Sequence, residues 1–157
     1  MSDLTFILLV VAIALNGIVV GASLDQSIKQ LPTRHRIGAV KYSAYSHAAD
    51  LGNGIAWYGS IGIGAVLMTM VTAIVVYLQK GNSSFAPFIY IAAALSILHS
   101  LVTTQAAPTL FSQRRYDSDE TALEGVFNRF ERWQTLRVLV QALTFGVLLW
   151  ALVLYVG

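Results

Sequence analysis

Residues 134–156 read QTLRVLVQALTFGVLLWALVLYV, and after Arg137 in the first turn no charged side chain appears. The hydrocarbon core of a bilayer takes about 20 apolar residues as a helix, and this stretch meets that demand. Working back along the chain, residues 4–24, 53–78 and 85–107 do the same, and none holds Asp, Glu, Lys or Arg. The first of these is preceded by Asp3 instead of a basic leader, and no small-residue cleavage motif follows it. It is therefore expected to stay as a helix and not to leave as a signal peptide.

The composition agrees with four spans. Of 157 residues, 56% are hydrophobic and 11% charged, less than half the charge of an average soluble domain, about 25%. Too little polar surface remains to cover such a chain in water, which excludes a soluble enzyme, a disordered chain and a nucleic-acid module. A net charge of +2 offers no basic face to phosphates. Cysteine is absent, so disulfides, thiolate catalysis and iron–sulfur clusters are excluded. The length allows one domain, 1–157.

The loop charges orient the spans. The first long connector carries Lys29, Arg34, Arg36 and Lys41; the third carries Arg114, Arg115, Arg129 and Arg132, with Arg137 at its edge; the 79–84 turn has only Lys80. The positive-inside rule then puts both long connectors in the cytoplasm and both termini outside, in the plasma (bacterial inner) membrane. The predicted fold is an all-α, antiparallel four-helix transmembrane bundle. Its second and fourth helices are expected to be extended by amphipathic cytoplasmic segments. In the first connector Pro32 opens a helix, and Ile37, Val40, Ala44, Ala48 and Leu51 recur at helical spacing, with a bend at Gly52–Gly54. In the third connector Ser118 is the expected N-cap, and Leu123, Val126, Phe127, Phe130 and Trp133 form one stripe. Gly17 with Gly21, and Ser60 with Gly64, have the spacing that lets helix backbones approach.

Chemistry has to come from polar residues within the spans. Asn16, Ser60, His99 and Gln141 all lie seven or eight residues in from a connector, roughly 10–12 Å deep at 1.5 Å per residue. Ser96, His99, Ser100 and Thr103 share a helix face, and Arg137, Gln141 and Thr144 line up on another. Polar groups at this depth turn to the bundle interior or to water, so an inward polar pocket open toward the cytoplasm is expected. Asn16 and Gln141 could equally fasten helices together. His99 suits acid–base work. Arg137 either snorkels to the headgroups or turns inward. Trp57 and Trp133 are placed at the pocket mouth, the other aromatics at the interfaces. His47, His99 and Asp25 or Asp50 offer metal-ligand chemistry, but no HxxxH or HExxH spacing groups them. Only one histidine lies inside a span, which disfavours a bis-histidine haem. No metal, haem or other cofactor is expected.

Three stretches carry a family resemblance: GASLDQSIKQLP at 21–32, Pro108 expected to close the third helix, and FERWQTLR at 130–137. Together the chain resembles the anthrone-oxygenase-like family of small four-helix integral membrane proteins. Pro108, Trp133 and Arg137 match that family's pattern, whereas Leu110 stands where an Asn is usual. The resemblance implies oxidation of anthrones to anthraquinones by molecular oxygen without bound metal or flavin. It implies His99 as base and Arg137 as stabiliser of an enolate oxygen, with Asn16, Trp57, Ser96, Trp133 and Gln141 around an aromatic or quinone-like ligand. The other reading is a non-catalytic accessory subunit of a larger membrane assembly, in which small size and GxxxG surfaces meet a partner subunit or a second copy. Membrane lipids are partners in either case, and nucleic acid in neither. A lined cavity beside His99 favours the first reading, and a flat apolar face the second.

Overall fold

The last helix of this protein is longer than the hydrocarbon core of a bilayer is thick. The computed structural model describes residues 3–79, 83–116 and 118–157; residues 80–82 of the expected turn, Lys80 among them, lie outside the described residues. The helices are α1 (Asp3–Asp25), α2 (Leu31–Ile37), α3 (Ala39–Ala48), α4 (Ile55–Leu78), α5 (Ala86–Phe111) and α6 (Glu120–Val156). Joined across short π-helical and 3₁₀ turns they make four helical runs long and apolar enough to cross a membrane: Asp3–Ile37, Ala39–Leu78, Ala86–Arg115 and Glu120–Val156. The 37 residues of α6 extend about 55 Å at 1.5 Å per residue, against a hydrocarbon core of about 30 Å.

Three contacts show which ends meet. Thr5, at the start of α1, accepts from Gln79 Nε2 beyond the end of α4, at 2.9 Å. Gln141 Nε2 of α6 donates to Asn16 Oδ1 of α1 at 2.8 Å. Gln134 Nε2 donates to the Ser23 carbonyl at 3.2 Å. Two apolar clusters result. One, at the 79–85 end, takes buried alanines from all four long helices (Ala12, Ala73, Ala86, Ala92 and Ala151) together with Leu9, Ile89 and Leu148. The other, at the connector end, gathers Leu31, Tyr42, Leu51, Leu110, Leu123, Phe127 and Phe130.

The connectors differ from the sequence reading in phase. The stripe expected on Val40, Ala44 and Ala48 is not the buried one: Ala39, Tyr42, Ser43 and Ser46 face inward, while Ala44 and Ala48 are exposed and only Leu51 of the expected set is buried. Gly38 explains the shift. Its φ of 85° lies in the region that glycine adopts without steric cost, and it breaks α2 from α3 and resets the helix rotation. The Glu120 carboxylate then caps α3, accepting from the Ala39 amide and from the Val40 amide at 3.2 Å. The N-cap of α6 is Asp119, one residue beyond Ser118, because its backbone is extended and its carboxylate accepts from the Ala122 amide at 3.0 Å. The bend expected at Gly52–Gly54 is a π-helical turn over Ala49–Gly54 with a non-helical Gly52. A Cβ on Gly54 would sit 2.8 Å from the Ala49 carbonyl oxygen, so that turn requires glycine. Pro108 does not close α5, which runs on to Phe111 and a 3₁₀ turn over Ser112–Arg115; so near a helix end, proline forfeits a single backbone bond.

The small-residue pairs do not join backbones within this chain. A Cβ on Gly17 would meet the Phe145 ring and one on Gly64 the Leu15 side chain, while Gly21 and Ser60 are exposed.

Candidate functional site

Between the two apolar clusters lies a cavity of about 510 Å³ whose wall is mostly apolar but includes Ser23, Gln26, Asp50, His99, Thr103 and Arg137. These six arrive on five segments, each for a local reason. Ser23 ends the apolar run of α1, and Gln26 begins the π-helical turn Gln26–Gln30. Asp50 sits on the second π-helical turn, just before α4. His99 and Thr103 are one turn apart on α5, where Thr103 Oγ1 donates to the His99 carbonyl at 2.8 Å. Arg137 comes from α6, three residues past the Gln134 that fastens it to α1.

The polar atoms here are joined in chains. Ser43 Oγ donates to Gln113 Oε1 at 3.0 Å, Gln113 Nε2 to Ser46 Oγ at 3.2 Å, and Ser46 Oγ to Asp50 Oδ2 at 3.0 Å. Three buried residues thus form a head-to-tail series of donors that ends on the Asp50 carboxylate, an arrangement in which each bond polarises the next. From the other side Arg137 Nη2 donates to Gln26 Oε1 at 3.2 Å. The cavity wall therefore carries a guanidinium bonded to one amide, and a carboxylate bonded to Ser46. Two further atoms are left over: His99 Nε2 and Arg137 Nε are both buried and without a hydrogen-bond partner among the described residues. Only 7% of His99 is exposed. Buried polar atoms in folded proteins almost always have partners, so these two are set to receive a polar group placed in the cavity. At the connector end the buried Leu51, Leu110 and Phe130 belong both to the wall and to the connector cluster. Beside them the half-buried Gln26, Gln30 and Asp50 also line it.

His99 and Arg137 thus share one cavity, and the other five residues named from the sequence lie outside its wall. Asn16 and Gln141 bond each other, and Asn16 Nδ2 also donates to Thr69 Oγ1 at 3.1 Å and to the Ala12 carbonyl at 2.8 Å. They fasten α1 to α6 and α4. Equal depth fixed their height along the bundle but not the direction they face. Ser96 is buried one turn from Ser100 and receives the Ser100 hydroxyl on its carbonyl at 2.9 Å. Trp57 is 68% exposed, and its neighbour Tyr58 lines the cavity instead; one residue on a helix is a rotation of about 100°. Trp133 packs against the connector cluster, because the stripe it belongs to is that cluster's own. Asp50 and Gln26 were missed as site residues. An acid next to a Gly-Asn-Gly run at the mouth of a span was the available signal for the first; Gln26 gave none.

Elsewhere, His47 lines a separate cleft of about 210 Å³ with Gln113, and Asp25 pairs with Lys29. Among the described residues no three His, Asp or Glu side chains come together as metal ligands do. No protein-family model, no curated protein and no solved structure matches this chain.

Proposed function

We propose that this protein is an antiparallel four-helix membrane protein of the plasma membrane that binds a hydrophobic aromatic or quinone-like molecule and oxidises it with oxygen. In this reading both termini face outside, and α3 and the first half of α6 are amphipathic extensions in the cytoplasm. The observation that carries it is the cavity: about 510 Å³, apolar-walled, with His99 and Arg137 converging on it. That size and character are those of a small-molecule site, and they favour a ligand over the flat apolar face of an accessory subunit.

The chemistry needs no resident metal or haem. For an anthrone, His99 Nε2 takes a proton from the ring methylene. Arg137, through its unpaired Nε–H, holds the oxygen on which the negative charge then rests. Molecular oxygen adds to that carbon, one oxygen atom stays as the new carbonyl, and the other leaves as water with the two methylene hydrogens. The four electrons that oxygen gains all come from the methylene carbon. Asp50, which accepts from Ser46, balances the guanidinium charge in a wall that would otherwise hold it alone.

The test is oxygen uptake by the purified protein in mild detergent with anthrone as the substrate. One oxygen molecule per anthraquinone formed, at a rate that falls by about 10²-fold in His99→Gln, is the expected result for loss of a general base. A rate equal to the buffer background, in a preparation that melts cooperatively, would sink the oxygenase reading.

A further inference from the structure

We infer that the ligand is a membrane-resident amphiphile that reaches the cavity sideways between α4 and α5, its oxygen-bearing ring inward and its hydrocarbon chain left in the lipid. This rests on the proposed reading that the chain spans a membrane and that the cavity binds a hydrophobic ligand, and it names the class of that ligand.

The wall of the cavity on α4 is also part of the outer surface. Tyr58, Ile63 and Leu67 line the cavity, yet they are 56%, 64% and 57% exposed. A side chain does both only at the rim of an opening. Between them the wall is glycine: Gly59 and Gly62 line the cavity, and a Cβ built on either meets no atom within 4 Å. The rim residues span about 14 Å of helix, from Tyr58 to Leu67, and all lie inside the apolar stretch 53–78. On the facing helix the half-buried Ser100, Thr103 and Ala107, all within the apolar stretch 85–107, line the cavity as well. At this depth an opening faces hydrocarbon and not water.

The other end of the cavity has the opposite character. Leu51, Leu110 and Phe130 are buried in its wall there, beside the half-buried Gln26, Gln30 and Asp50. The groups able to hold an oxygen, His99 Nε2 and Arg137 Nε, are buried and unpartnered. Polarity therefore falls from the inner wall to the lipid-facing rim, along one path. A ring with polar oxygens on an alkyl or isoprenoid tail matches both ends, and its tail never has to leave the bilayer.

The chain has no cysteine, so a single introduced thiol reports cleanly. Gly62→Cys, with Gly59→Cys as the second variant, is reconstituted in phospholipid nanodiscs and treated with a membrane-soluble maleimide or a charged, water-confined thiosulfonate. The probes are a fully substituted benzoquinone carrying a decyl chain and the same ring with a methyl group in its place. Such rings have no free position for thiol addition. The membrane-soluble reagent should label and the charged one should not. The decyl quinone should slow labelling by about tenfold and the methyl ring far less, as for a rim filled by a tail. Labelling by the charged reagent at a comparable rate overturns the sideways opening and leaves ligand binding intact. Equal protection by both rings overturns the amphiphile class alone. If neither ring protects and neither quenches the protein's fluorescence, the ligand reading and this inference fall together.

Discussion

The two halves of this bundle are made from the same apolar helices and hold together in different ways. Toward the 79–85 end, Ala12, Ala73, Ala92 and Ala151 let the four helices close on one another, and Leu9, Ile89 and Leu148 fill what remains. Toward the connectors, the contacts are Tyr42, Phe127 and Phe130, the ring of Tyr42 meeting Phe127 edge-on at 4.9 Å. There both α1 and the approach to α4 widen into π-helical turns, features that concentrate at functional sites. Unsatisfied polarity keeps to the same division. The buried side-chain atoms without a partner among the described residues are on Ser27, Gln30, Arg34, Tyr42, His99, Gln134 and Arg137, none of them in the alanine-lined half. One half is built to be closed; the other leaves hydrogen-bonding capacity unspent around a cavity.

The largest effect that would break this comparison is loss of volume in the closed half. Leu148 is fully buried, and Leu148→Ala should cost about 2–5 kcal/mol, since the packed alanines around it leave no room to collapse. Leu67→Ala, on the exposed cavity rim, should cost under about 0.5 kcal/mol. Urea unfolding in mixed micelles measures both. Equal costs would mean that the rim is packed in the membrane and that the cavity is not open.

Next in size is Arg137→Lys, which tests the polar half alone. A snorkelling cation tolerates lysine, whereas a planar fork in the cavity wall that bonds Gln26 at 3.2 Å with Nε buried does not. Ligand affinity should fall about tenfold, the equivalent of one well-made hydrogen bond to a charged group, with melting temperature nearly unchanged. An unchanged affinity would return Arg137 to the role of an interface anchor.

How far the sequence carried can be read from the same two halves. The spans were legible because apolar length is a property of composition and needs no knowledge of neighbours. His99 was legible as an inward group because an ionisable side chain inside a span has few other places to go, whereas Arg137, near a helix end, could as well have snorkelled. Facing direction was not legible. The π-helical turns at Gln26–Gln30 and Ala49–Gly54 rotate the helices that leave them, so Tyr58 takes the place expected for Trp57. The α3 face was misread for a related reason: Ser43 and Ser46 look like solvent residues until Gln113 arrives from the end of α5 to satisfy them. Partners distant in sequence, such as Gln113 for Ser46 or Gln26 for Arg137, leave no periodic trace.

The smallest expected effect separates fastening from function. Asn16 and Gln141 sit between the halves, bonded to each other at 2.8 Å and through Asn16 to Thr69 at 3.1 Å. Both are buried and neither lines the cavity. Amide pairs between membrane helices contribute modestly, because in the unfolded state each amide finds another partner in its own helix or in the interface. Asn16 already has such a partner, since its Nδ2 also donates to the Ala12 carbonyl at 2.8 Å. A double-mutant cycle of Asn16→Ala and Gln141→Ala should therefore give a coupling of about 0.6–1.5 kcal/mol. Neither single variant should change ligand affinity. If Asn16→Ala weakened binding as much as Arg137→Lys, the amide layer would be part of the site after all, and the boundary between the two halves would lie one turn deeper than His99.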